Sequence, residues 1–212
     1  MTTSKAILFD LDGTLLDTAN DIARALNNLL EQYGRPPLPL DIIRPIAGYG
    51  SNALLRLGGL DERLGEQLFA EYQKHLLDST ALFPGIQEVL IHLEKEQIPW
   101  GIVTNKPKKF TQQIIDKLQF AKNAKCIISG DSLKNAKPHP EPILHACRLL
   151  EKNPENCIYI GDAKTDMQAS NAAGTTSLVA LYGYIPPNEN PKLWQAHGYI
   201  GHPREIVSWI KK

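Results

Sequence analysis

Five short, almost unbroken apolar runs punctuate the chain, and a stretch of helical periodicity follows most of them. The runs are AILFD (6–10), PWGIVT (99–104), AKCIIS (124–129), CIYIG (157–161) and TSLVAL (176–181), with a weaker one at YI (199–200). The helical stretches are IQEVLIHLEKE (86–96), KKFTQQIIDKL (108–118), EPILHACRLLE (141–151) and AKTDMQASNAA (163–173). A strand with one wet face alternates apolar and polar residues, so a continuously apolar strand must be covered on both faces. Helices between successive strands supply that cover. The pattern predicts an α/β fold with a parallel sheet and helices on both faces. Ligands of such sheets bind at the carboxyl ends of the strands, which is where chemistry should be sought.

One interval breaks the alternation. Residues 18–80 hold only helix signals: TANDIARALNNLLEQYG (18–34), LDIIRPIA (40–47), SNALLRLG (51–58) and DERLGEQLFAEYQKHLLD (61–78). The interval reads as an all-helical insertion after the first strand, with FPG at 83–85 marking the return. A chain of 212 residues can hold a core domain and a small inserted one. The expected division is a discontinuous core, 1–15 and 82–212, and an insertion, 16–81. The segment IPPNENPK (185–192) reads as a surface loop.

Basic and acidic residues balance at 23 each, which removes any bulk electrostatic case for nucleic acid or an anionic membrane. No apolar run approaches the roughly 20 residues that span a bilayer, and the N-terminus lacks a signal-peptide pattern. A cytoplasmic protein is expected. Cys126, Cys147 and Cys157 show no CxxC spacing and read as buried reduced thiols.

Four polar clusters close the apolar runs. In FDLDG, Asp10 and Asp12 are two apart and share a face of an extended chain, while Gly13 lets the chain turn. An Asp-Gly turn after a strand is the plainer reading, but it leaves Asp10 unexplained. In GDAKTD (161–166), Asp162 lies on a loop and Asp166 one turn into a helix. Helix capping accounts for acids there; a shared hard cation accounts for both acidic clusters and for their mutual repulsion. Oxygen-only ligands favour Mg²⁺ over zinc. In VTNK (103–106), Thr104 offers a hydroxyl and the backbone after it leads into a helix, an anion site. Lys137 in AKPHPEP is kept off any helix by its prolines and is, by itself, an ordinary solvated lysine. Together the four describe a site for a phosphoryl group and its Mg²⁺.

With these residues in order, the sequence resembles the haloacid dehalogenase superfamily of phosphatases. FDLDGTLLDT matches its DxDGT motif, VTNK the second, Lys137 the third and GDAKTD the GDxxxD form of the fourth. The resemblance implies a Rossmann-like core and makes the insertion a helical cap of the phosphoglycolate phosphatase-like branch. It implies that Asp10 attacks phosphorus to give an aspartyl-phosphate, and that Asp12 protonates the leaving alkoxide and then activates water. It assigns phosphoryl oxygens to Thr104, Lys137, Asn105 and the Gly13 turn. Mg²⁺ would be held by Asp10, the Asp12 carbonyl, Asp162 and Asp166. Dehalogenases lack the second aspartate, so dehalogenation is not expected. A phosphomutase must shield its intermediate from water, and nothing in the sequence demands that. A non-catalytic regulatory relative would show a broken motif, and all the motif residues stand.

Substrate choice should lie in the insertion, because the core meets only the phosphate. In RPIAGYGSNALLRLGG (44–59), Ser51 is placed to cap a helix facing an anion, although a helix–turn–helix corner fits too. Arg44 is a candidate for a substrate carboxylate, although a surface arginine is the plainer reading. A small phosphorylated metabolite is the expected partner. Phosphoglycolate is the leading candidate and N-acetylmuramic acid 6-phosphate the alternative.

Overall fold

The structure, a computed structural model, describes residues 5–210. Six strands form one parallel sheet: β1 (Ala6–Phe9), β4 (Trp100–Val103), β5 (Cys126–Ile128), β6 (Cys157–Gly161), β7 (Thr176–Ala180) and β8 (Gly198–Ile200), in the order β5-β4-β1-β6-β7-β8. The five apolar runs and the weaker YI run are these strands, with bounds that differ by at most three residues. In β1 the two-residue period sends Ile7 and Phe9 into one core and Ala6 and Leu8 into the other. The first core is closed by α5 (Ile86–Lys95), α6 (Lys108–Leu118) and α9 (Ile206–Ile210). The second is closed by α7 (Glu141–Leu149) and α8 (Lys164–Ala173), and it buries all three cysteines as free thiols.

Register sets the site. Phe9 is level with Ile102 on one side and Ile160 on the other. The residues that follow, Asp10, Thr104 and Asp162, therefore leave three adjacent strands along one carboxyl edge.

The segment between β1 and α5 is helical, as expected, with α1 (Ala19–Gln32), α2 (Leu40–Ile43), α3 (Ser51–Leu57) and α4 (Gly65–His75). Its apolar faces form a separate core around Leu26, Leu29, Leu55 and Tyr72. The helix read over 40–47 stops at Ile43 and continues as a 3₁₀ turn, Arg44–Tyr49. Pro45 has no N–H to give the α-helical bond. Two short strands went unread: β2 (Leu16–Asp17) and β3 (Ala81–Leu82) pair antiparallel where the chain leaves and re-enters the core. Asp21 ties the same junction, accepting bonds from the backbone of Leu77, Ser79 and Thr80 and from the Thr80 hydroxyl. Among the described residues no helix is long and apolar enough to cross a membrane.

Candidate active site

Lys137 is the centre of the cluster. Its ammonium lies 3.0 Å from Asp10 Oδ1 and 2.6 Å from Asp166 Oδ1, and also donates to the Val103 carbonyl and the Tyr159 hydroxyl. The lysine is 5% exposed, so the plain reading as a solvated charge fails. Burial alone would lower its pKa, but Asp10 and Asp166 outweigh that and hold it above the ordinary lysine value. Asn105 fixes the Lys137 backbone from both sides, donating to its carbonyl at 2.9 Å and accepting from its N–H at 3.0 Å. That side chain, expected on phosphate, is committed to holding the lysine.

Asp10 accepts from Lys137 and, at 2.7 Å, from the Leu11 N–H, both on Oδ1. Burial pushes its carboxyl up to about 7, against the opposing pull of Lys137. Asp162 is buried between two glycines. A Cβ on Gly13, whose φ is +77°, or on Gly183 would overlap its side chain. The Thr14 hydroxyl and the Tyr184 N–H donate to its two oxygens at 3.2 and 2.7 Å. Burial, then the charges of Asp10 and Asp166, raise its pKa well above the carboxylate range. Asp166 accepts the Ala163 N–H at 3.0 Å, so it does cap its helix while also meeting Lys137 and Tyr159. Asp162 spends no bond on the helix.

Oxygens of Asp10, Asp162 and Asp166 come within 4.8 Å of one another, a group that could hold a metal ion. Three carboxylates, Asp162 and Asp166 buried and Asp10 partly so, share one ammonium, and burial drives Asp10 and Asp162 toward the neutral form. The shortage of positive charge and the all-oxygen donors fit a hard divalent cation.

Asp12 lies beside this group. The Thr18 hydroxyl donates to its Oδ1 at 2.7 Å, and Lys106 Nζ lies 3.1 Å from both oxygens. Lys106 also donates to the Tyr72 hydroxyl at 2.8 Å, reaching from the core to α4. Sequence reasoning passed over both. Lys106 stood inside the quoted VTNK, whereas Tyr72 lies in the helical stretch 61–78 with no motif to mark it. Thr104, 4% exposed, accepts the Lys106 N–H on its hydroxyl and sits at the same edge.

Asp10, Asp12, Thr104, Lys106 and Lys137 floor a cavity of about 330 Å³, walled by Ile22, Leu54, Leu68, Phe69 and Phe110 and by Gly48–Ser51. Arg44 is not part of the lining. Its guanidinium pairs with Asp17, 2.9 Å away, and lies over the Tyr184 ring. Ser51 begins α3 but forms no side-chain cap. The start of α1 is held from both the insertion and the core. The Tyr184 hydroxyl accepts the Thr18 and Ala19 N–H groups, Asp17 accepts the Ala19 N–H, and the Thr18 hydroxyl is drawn to Asp12.

The chain matches the family described as haloacid dehalogenase-like hydrolase over residues 7–180, and it belongs to that family. It is 36% identical to an N-acetylmuramic acid 6-phosphate phosphatase of Pseudomonas aeruginosa, covering 98% of this chain and 95% of that one. It is 38% identical to a phosphoglycolate phosphatase of Xanthomonas campestris pv. campestris, covering 95% and 94%. A crystal structure of a predicted phosphoglycolate phosphatase from Haemophilus somnus shares the fold, with a TM-score of 0.88, 24% identity and 99% of each chain covered.

Proposed function

We propose that the protein is a Mg²⁺-dependent phosphomonoester hydrolase that acts on a small phosphorylated metabolite through an aspartyl-phosphate on Asp10. One observation carries the reading. Asp10 lines the cavity with Oδ2 free of any protein partner among the described residues, while Oδ1 is held by Leu11 and Lys137. A carboxylate held by one oxygen and open at the other is oriented for attack. Mg²⁺, held by Asp10, Asp162, Asp166 and the Asp12 carbonyl, would supply positive charge to the phosphoryl oxygens.

The chain's own residues divide the remaining work. Asp10 Oδ2 attacks phosphorus as the P–O bond to the leaving group breaks. The Asp12 carboxyl gives its proton to that leaving oxygen, so an alcohol departs. As a carboxylate, Asp12 then takes a proton from the water that attacks the phosphorylated Asp10, releasing phosphate and regenerating the aspartate. Thr104 and Lys137 bind phosphoryl oxygens, and Lys137 balances charge on Asp10. Residues 16–81 serve as a cap over a core of 1–15 and 82–212.

For the leaving group, 2-phosphoglycolate is the main reading, supported by the relatives bearing that activity in their names. The cavity favours a second. At about 330 Å³ it lies at the lower end of the roughly 300–1,000 Å³ of ordinary ligand pockets, more than a two-carbon acid fills. The larger N-acetylmuramic acid 6-phosphate fills such a cavity more completely. The test is kcat/KM for both phosphates with Mg²⁺, and again with a chelator in place of the metal. Hydrolysis that the chelator abolishes is the expected result; no metal-dependent turnover of any phosphomonoester would refute the proposal. The larger of the two kcat/KM values assigns the substrate.

A further inference from the structure

We infer that Lys106 is a positioning residue for Asp12, and that Tyr72 makes this positioning depend on the helical insertion being seated over the core. The inference rests on the phosphatase reading above and adds to it how the proton donor is held.

Lys106 is held by its backbone as firmly as by its head group. Its N–H donates to the Thr104 hydroxyl at 3.2 Å, and its carbonyl accepts from the Gly130 N–H at 3.0 Å. The side chain is 5% exposed and reaches three acceptor atoms: both oxygens of Asp12 and the hydroxyl of Tyr72. Burial works against the ammonium, but Asp12 and Tyr72 more than restore it, so the cation persists. Its charge also lies 4.5 Å from the centre of the Tyr72 ring, within cation–π range. Tyr72 itself packs edge-on to Phe110 of α6, so its place is set by contact between insertion and core.

Three consequences follow from this geometry. Asp12 Oδ1 is shared by Thr18 and Lys106, leaving Oδ2 the less committed oxygen and the natural site for the transferable proton. As Asp12 gives that proton to the leaving oxygen it becomes a carboxylate, and Lys106 is the countercharge already beside it. If α4 moves away, Lys106 loses the Tyr72 hydroxyl and the ring, and one anchor of the Asp12 carboxylate slackens. Tyr72 is held in the phenol form, since burial pushes it up to about 12. Its own proton has no acceptor among the described residues, so it can donate to an oxygen of a bound substrate. Proton delivery is in this way linked to a seated insertion over an occupied cavity.

The test separates positioning from general damage through the leaving group. An alkyl alkoxide needs a proton as it departs, whereas nitrophenolate does not, and kcat/KM reports only the steps up to P–O cleavage. Lys106→Met is compared with wild type on 4-nitrophenyl phosphate and on the faster of 2-phosphoglycolate and N-acetylmuramic acid 6-phosphate. We expect kcat/KM to fall about 100-fold on the alkyl phosphate and about threefold or less on the aryl one. Equal losses on both, or no loss on either, would overturn the inference. Tyr72→Phe keeps the packed ring and removes only the hydroxyl, so it tests the same point should Lys106→Met fail to fold. It should show the same selectivity at about tenfold, and equal or absent losses there count equally against the inference. Wild type inert toward all three phosphates would refute the hydrolase reading itself, a result distinct from a failure of Lys106.

Discussion

The floor and the roof of the cavity are made of opposite materials. The floor gathers Asp10, Asp12, Thr104, Lys106 and Lys137 at the strand ends, with Asp162 and Asp166 clustered on Asp10. The roof, from α1, α3 and α4, is chiefly Ile22, Leu54, Leu68 and Phe69, with Tyr72 reaching down to Lys106. A buried charge tolerates little change, because a partner removed leaves several kcal/mol of desolvation uncompensated. An apolar wall tolerates exchange of shape at about 1–3 kcal/mol. The two surfaces of the cavity therefore differ in how freely their residues can vary.

The largest expected effect comes from the floor. Asp10→Asn should cut turnover of every phosphomonoester by about 10⁴-fold or more, since an amide cannot form the acyl phosphate. Lys137 keeps Asp166 as its partner in the variant, so the chain should still fold, and a melt beside the assay checks this. Residual activity above a few per cent would remove the covalent route and leave the floor as mere electrostatics.

The second effect separates the floor from the roof by pH. Burial raises Asp10 to about 7, so the stability tied to its neutral form is complete below the unfolded carboxylate value of about 4. That stability is lost as pH rises through about 7, and the metal-free protein should melt progressively lower across this interval. Mg²⁺ competes with the same protons, so its stabilisation should grow as the proton leaves. At about 100-fold excess over its Kd the ion adds about 2.7 kcal/mol, or roughly 5–10 °C in Tm. The shift should be clear near pH 8 and small near pH 5, both about one to two pH units from the titration. An equal shift at both would mean the ion binds elsewhere.

What could be read from the sequence follows the same division. Strand ends are local: an apolar run and the acid or hydroxyl after it suffice to place Asp10, Thr104 and Asp162, and β register does the rest. Lys137 was also legible, although its burial was not, because that depends on Tyr159 and Asp166 from a distant strand and helix. Bonds between insertion and core were not legible at all. The Thr18 hydroxyl goes to Asp12, and a tyrosine 166 residues away takes the Thr18 N–H. β2 and β3 escaped notice because two residues each carry no periodicity.

The roof should respond in specificity. Leu54, buried at 5% and on the cavity wall, can be enlarged to Phe to take space from the substrate. Leu54→Phe should shift the kcat/KM ratio of 2-phosphoglycolate to N-acetylmuramic acid 6-phosphate by about tenfold toward the smaller one. The strain of overpacking costs about 1–3 kcal/mol, so a melt at assay temperature accompanies the kinetics. An unchanged ratio would place substrate choice outside this wall.

The smallest expected effect is at Arg44, which belongs to the insertion but not to the roof. Its partner Asp17 also accepts the Tyr184 hydroxyl at 2.9 Å, so the pair braces the junction where the chain leaves the core rather than facing the cavity. A half-exposed ion pair of this kind contributes less than about 1 kcal/mol. Arg44→Ala should therefore change KM for either acidic phosphate by no more than about twofold. If instead a substrate carboxylate draws Arg44 away from Asp17, KM should rise tenfold or more with kcat little changed, since a charge-assisted bond contributes about 1.5–3 kcal/mol. That result would move the substrate's acidic end to the junction and make Asp17 a placeholder for it.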